Sequence, residues 1–189
     1  FPLVAERRVC LRARSIARGR ANVEKVYDRL VAKGRKTKDQ KKAVMALYTA
    51  STNYGDLSDV DMVIEAVFER LDVKREVFAK LDEVIKPSAV LASNTSYIDI
   101  DLISSATSRP SQVIGLHFFS PANIMKLLEI VVPSSAADDV VATGFALAKR
   151  MRKVPVRAGN SGGFIGNRIL GKYGVCAAHM MEDGASPYD

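Results

Sequence analysis

The chain has 189 residues, the size of one ordinary domain or of one domain with part of a second. Its 48% hydrophobic and 26% charged residues form a globular balance that excludes a disordered or fibrous polypeptide. No apolar run approaches the roughly 18 residues of a membrane span, and residues 1–6 lack the pattern of a signal peptide.

The formal net charge of +7 is concentrated at one end. Residues 1–50 hold fourteen Lys and Arg against four acids, and the remaining 139 residues are slightly acidic. A solvated helical face accounts for such a run most simply. A phosphate-bearing ligand among Lys33 to Lys42 comes next. Aromatics are scarce around the run and no nucleic-acid signature is present, so nucleic acid is not an expected partner. The two cysteines, Cys10 and Cys176, lie far apart in no metal-like spacing and read as inert reduced thiols.

Taken in chain order, residues 16–33 place Ile16, Val23, Val26, Tyr27, Leu30 and Val31 at helical spacing, with Gly34 as the stop. Residues 38–50 read as a second, basic helix. Residues 61–67 are a short apolar run with β-branched members, a buried strand by length and type. Residues 70–85 form a helix with Val73, Val77, Phe78, Leu81, Val84 and Ile85 on one face, ended by Lys86-Pro87. A strand over 89–93 runs into Asn94-Thr95-Ser96, and a short helix near 98–105 precedes a strand over 113–119. Another strand covers 127–132. Ser135-Ala136-Ala137-Asp138 has capping-box form and opens a helix to about 150. A strand at 154–156 leads through Gly162-Gly163-Phe164-Ile165-Gly166-Asn167-Arg168 to a final helix, broken at Asp183-Gly184.

Apolar strands alternating with amphipathic helices define an α/β fold, a mainly parallel sheet with helices on both faces. Ligands in such folds sit outside the carboxyl ends of the strands. That rule directs Glu69, Asn94, Ser96, His117 and Ser120 toward one cleft. His117 is one of only two histidines, and an apolar strand carries it to a Ser-Pro break. Imidazole titrates near neutral pH and serves as a proton acceptor in redox chemistry on alcohols. Glu129, inside the apolar run 127–132, supplies a carboxylate able to hold that imidazole in one tautomer and stabilise its cation. Taken alone, Lys74 reads as solvated, Asn94 and Ser96 as caps of the following helix, and Asn167 as the first turn of the last helix. His179 has no acidic partner and reads as structural.

Four stretches carry a resemblance: DMVIEAVFERLDVKREVF (61–78), SNTS (93–96), GLHFFSPANIMKLLEI (115–130) and GGFIGNRIL (162–170). Together they resemble the 3-hydroxyacyl-CoA dehydrogenases, most of all the dehydrogenase part of multifunctional fatty-acid β-oxidation enzymes. The resemblance implies a Rossmann-like domain over 1–160 and the start of a C-terminal helical domain over 161–189. It implies NAD-dependent oxidation of an (S)-3-hydroxyacyl-CoA to the 3-ketoacyl-CoA, with an acyl-CoA as the substrate. His117 matches the family's catalytic base, Glu129 its partner carboxylate, Ser96 a serine on the substrate hydroxyl, and Asn167 an asparagine completing the catalytic group. Glu69, Lys74, Asn94, Ser96 and Ser120 match positions along the cofactor. A homodimer, or a place within a multifunctional enzyme, is implied as well. The setting would be a bacterial cytoplasm, or a peroxisome or mitochondrion in a eukaryote.

The chain departs from the family pattern in one respect of physical weight. G-x-G-x-x-G, whose glycines let backbone amides approach a pyrophosphate, occurs nowhere in it. No acid follows the candidate strand Val9-Cys10-Leu11, where the family binds the adenosine ribose. The expectation is therefore a fragment that lacks the first strand and most of the helical domain, and that binds NAD weakly by itself. The competing expectation is a non-catalytic binding or assembly module.

Overall fold

The computed structural model describes residues 6–9, 13–186 and 188. Cys10, Leu11 and Arg12, which figure in the sequence reading, lie outside the described residues. The chain divides into two compact units, one of residues up to 60 with 83–86, the other of residues 61–82 and 87 onward.

The first unit contains β1 (Glu6–Val9), α1 (Ala13–Ala32), α2 (Lys38–Ala46) and β2 (Tyr48–Ser51). α1 ends as expected. Gly34 takes φ +65°, and the amides of residues 33–35 turn back onto the carbonyls of Arg29, Val31 and Leu30. Thr37 and Gln40 form a reciprocal capping box at the start of α2. The second helix was expected to run to residue 50 but stops at Ala46, and Tyr48–Ser51 pairs parallel with β1 instead. Four residues carry too little local pattern to announce a strand. The backbone hydrogen bonds that make it one come from a segment some 40 residues away.

The second unit is built on a five-stranded sheet in the order β3 (Met62–Glu65), β4 (Val90–Ser93), β5 (Val113–Phe118), β6 (Leu127–Val132) and β7 (Val154–Gly159). All pairings are parallel except β5 with β6. The helices are α3 (Leu71–Val84), α4 (Ile100–Ser104), α5 (Asp138–Arg150) and α6 (Gly166–Glu182). Side chains alternate across a strand. Ile114, Leu116 and Ile130 therefore face α5, where they form a core with Val140, Val141 and Ala148. Each such side chain, fully buried, contributes about 1.5–3 kcal/mol. Gly144 allows this approach, since a Cβ there would stand 2.9 Å from Ile114 Cδ1. Gly115 points to the other face, where a Cβ would meet Val131 Cβ at 2.6 Å and Ile100 of α4 at 3.2 Å. The sheet is covered on both faces, in agreement with the α/β reading.

Two local expectations are corrected. The run 61–67 was read as a buried strand. β3 lies at the edge of this sheet, and Ile64 is 39% exposed. Ser135 was read as the start of a capping box. α5 instead begins behind Ala137, which makes no side-chain cap, and the Ser135 hydroxyl donates to Pro110 O. Asp138 and Asp139 in the first turn supply negative charge at that helix end.

Asp82 ties α3 to the segment before β5. It accepts from Ser108 N at 2.7 Å and from Arg109 Nε at 2.8 Å. Burial by itself pushes this carboxyl up. The hydrogen bonds from Ser108 and the hydrogen bond and charge of Arg109 outweigh it, holding the group below the usual Asp range. A carboxyl lowered in the native state adds stability above its unfolded value of about 3.9. That contribution is lost as pH falls through the native value. Asp82→Asn is expected to cost about 1–3 kcal/mol at neutral pH, with the gap to wild type closing below about pH 4. Urea unfolding at both pH values measures it, and a gap that persists in acid contradicts the assignment.

Candidate active site

The antiparallel pairing of β5 and β6 sets His117 directly opposite Glu129. The two side chains meet on one face, with Nδ1 and Oε2 2.6 Å apart. Glu129 has no exposed surface and His117 only 4%. The other carboxylate oxygen, Oε1, accepts from Ile165 N at 3.1 Å and Gly166 N at 2.8 Å, at the N-terminus of α6. A carboxylate that already accepts from two backbone N–H donors acts as a pure acceptor toward the imidazole, and the helix end favours its negative charge. The proton of the neutral imidazole therefore sits on Nδ1, and Nε2 carries the lone pair. Phe119 and Phe164 flank the ring, with centroids 4.6 and 5.5 Å away.

Gly166 is a participant that the sequence reading treated only as part of a motif. A Cβ there would stand 2.7 Å from the Phe119 ring, so only glycine lets its amide reach Glu129. Gly163, at φ +72°, makes the turn just before it, and a Cβ would meet the backbone of Arg168 at 3.0 Å. The signal was the glycine-rich run after β7; the Gly163 turn is local, whereas the approach of Gly166 to Phe119 becomes legible only in the folded chain.

A second set of polar groups lies at the carboxyl ends of β3 and β4. Glu69 Oε1 accepts from Thr95 Oγ1 at 2.5 Å, Ser96 N at 2.8 Å and Tyr97 N at 3.1 Å. Burial tends to raise the Glu69 carboxyl, but those three donors and the Lys74 charge together hold it below its ordinary range. Asn94 Oδ1 accepts from Phe118 N at 2.9 Å, joining the end of β4 to that of β5. Asn167 Nδ2 reaches Ser96 O at 3.4 Å. The geometry thus links Glu69, Asn94, Ser96 and Asn167 to the strand ends around His117. Asp99, rather than Asn94 or Ser96, caps α4. Ser120 is exposed beyond β5 and joins none of these contacts.

Lys74, read from sequence as solvated, is 1% exposed, with Nζ held by Glu65 and Glu69. The reason is tertiary: α3 turns this position onto β3, whose last residue is Glu65. The sequence reading did not single out Glu65, because an acid closing a short apolar strand looked incidental; the structure joins it to Lys74 and Ser93. His179 is exposed on α6, and Cys176 on the same helix is a free thiol.

An open hollow of about 320 Å³ runs from Tyr97 past Gly163 and Asn167 to Arg168 and Lys172. For a dinucleotide, the groups present fit one end. The Glu69 side chain is 41% exposed. Asn94 Nδ2 and Ser96 Oγ make no hydrogen bond among the described residues. Such groups suit a ribose or a carboxamide. The turn that would take a pyrophosphate has no counterpart in the sequence.

The doubly covered sheet and the polar groups at its strand ends define a Rossmann-like dehydrogenase domain. Residues 8–161 match the family model described as 3-hydroxyacyl-CoA dehydrogenase, NAD binding domain. The chain is 48% identical over 139 residues to the peroxisomal bifunctional enzyme of Cavia porcellus, a match over 74% of this chain and 19% of that protein. It is 41% identical over 165 residues to the 3-hydroxybutyryl-CoA dehydrogenase of Clostridioides difficile, covering 86% of this chain and 59% of that protein. Its fold is similar to the crystal structure of M. tuberculosis FadB2, with a TM-score of 0.94 and 37% identity over 98% of this chain and 66% of that one. The chain belongs to the 3-hydroxyacyl-CoA dehydrogenase family, and the matched region is the family's NAD-binding domain. It spans only 19% of the length of the bifunctional relative. No described helix is long and apolar enough to cross a membrane.

Proposed function

We propose that the chain carries the proton-handling centre of an enzyme that oxidises (S)-3-hydroxyacyl-CoA to 3-ketoacyl-CoA in fatty-acid β-oxidation. The observation that carries this reading is the buried His117–Glu129 pair, which leaves Nε2 as the basic nitrogen. His117 Nε2 takes the proton of the 3-hydroxyl, and Glu129 stabilises the imidazolium across the 2.6 Å contact. Bound NAD supplies the hydride acceptor for C3. Ser96 donates its hydroxyl to the substrate oxygen, and Asn167 orients the Ser96 turn and the substrate from the first turn of α6. Glu69, Asn94 and Ser120 border the nicotinamide end.

In this reading the cofactor-binding part covers 1–160 and a helical part begins at 161–189. Ile169, Leu170 and Tyr173 on α6 are each at least 64% exposed, which supports burial against further helices or a second subunit. Peroxisomal relatives support a peroxisomal setting for a eukaryotic source, and the cytoplasm is the setting for a bacterial one.

The test is an NADH absorbance assay with acetoacetyl-CoA on a full-length version of the protein. Acyl-CoA-dependent consumption of NADH is expected. A protein that binds both ligands without turnover would refute the reading.

A further inference from the structure

We infer that Glu65, Lys74 and Thr95 are positioning residues, which act through Glu69 to hold the turn that presents Ser96. The role rests on the function proposed above, while the contacts are independent of it. Glu65 anchors the chain of contacts. Its carboxylate receives Lys74 Nζ at 2.8 and 3.1 Å, Ser93 Oγ at 2.7 Å and Val67 N at 2.6 Å. Lys74 Nζ then reaches Glu69 Oε2 at 3.3 Å. One ammonium thus bridges two carboxylates, one buried and one at the surface.

Glu69 Oε1 passes the constraint on by gathering Thr95 Oγ1, Ser96 N and Tyr97 N. Thr95 completes it. Its hydroxyl donates to Glu69 and accepts from Ile98 N at 2.9 Å. The backbone from 95 to 98 is therefore held by one carboxylate and one hydroxyl, and the Ser96 hydroxyl takes part in none of these contacts.

A direct ligand role for Lys74 conflicts with its 1% exposure and its three carboxylate contacts. A role in stability alone does not account for the reach to Glu69. A buried ion pair is often replaceable by apolar side chains without loss of stability, whereas here it extends to a carboxylate whose other partners all lie on the Ser96 turn. Thr95 has no exposed surface and no room to touch a ligand.

Thr95→Val keeps the side-chain volume and removes the hydroxyl contacts with Glu69, Ile98 N and Tyr97 N, while Thr95→Ser keeps the hydroxyl. Amide exchange followed by NMR reads the turn directly. The Ser96 and Tyr97 amides are expected to exchange about 10-fold faster in Thr95→Val and at the wild-type rate in Thr95→Ser. Glu69→Ala, at a partly exposed position, gives the same acceleration should the Thr95→Val protein fold poorly. In the NADH assay, Thr95→Val should lower kcat several-fold with KM for the acyl-CoA nearly unchanged, and Thr95→Ser should restore it.

Unchanged exchange in both Thr95→Val and Glu69→Ala overturns the inference. Accelerated exchange with wild-type kcat overturns the positioning role. A wild-type protein without turnover defeats the proposed function, and the positioning role with it, and is told apart by the exchange result, which needs no activity.

Discussion

Replacing His117 by Ala in a full-length version of the protein is expected to lower kcat for 3-hydroxyacyl-CoA oxidation by about 10²–10⁴-fold. The magnitude is that of a positioned general base, and the structure supplies the positioning. Both ring neighbours and both Glu129 oxygens are committed, so the imidazole has one orientation and one free nitrogen. Among the described residues, the other groups in contact with the pair are phenyl rings and backbone amides, which offer no base. Glu129 is buried with both oxygens hydrogen-bonded, and the Glu69 carboxyl, held below its ordinary range by the Ser96 turn and the Lys74 charge, is a weakened base. Substrate affinity should change little, because a proton acceptor acts in the transition state rather than in binding. Steady-state kinetics of the purified variant decides the matter, and turnover near that of wild type would remove His117 from the mechanism.

The second large effect concerns stability. Lys74→Met is expected to destabilise the protein by about 3–5 kcal/mol, because it leaves the Glu65 carboxylate buried without its cation. The side chains of both partners are 1% exposed. The contrast lies on the same helix. Lys80 pairs with Glu76 at 2.6 Å, but those side chains are 49% and 66% exposed. Lys80→Met should cost at most about 0.5 kcal/mol, since water screens such a pair. Adding Glu65→Leu to Lys74→Met should recover much of the loss, because an apolar pair replaces a buried ion pair at little cost. Denaturant unfolding measures all three variants. A Lys74→Met protein as stable as the Lys80→Met protein would show that Glu65 is neutral or solvated.

The sheet unit was legible because its strands and helices are locally patterned. The 3.6-residue spacing of Val77, Phe78 and Leu81, and the apolar runs at 90–93, 113–118 and 127–132, carry their own period. β2 was not legible, because Tyr48–Ser51 becomes a strand only through β1. The same limit applied to Ser135. Its motif satisfies the capping rule locally, but Ala137 N is taken by Ser111 O, and the helix starts from there.

At the site, the residue types in sequence named the chemistry. An imidazole and a carboxylate twelve residues apart, between the SNTS and GGFIGN runs, carried the resemblance to the family and suggested the pair proposed to handle the proton. The sequence alone determined the family and the order of elements, because residue identity and local spacing carry both. Only the tertiary structure decided that Lys74 is a buried bridge rather than a solvated charge. It also decided that Glu65 anchors the bridge and that Gly166 brings an amide onto Glu129. Those facts depend on which partner stands opposite each group. A charge is buried only where an opposite charge meets it, and that meeting is made by strands and helices distant in the chain.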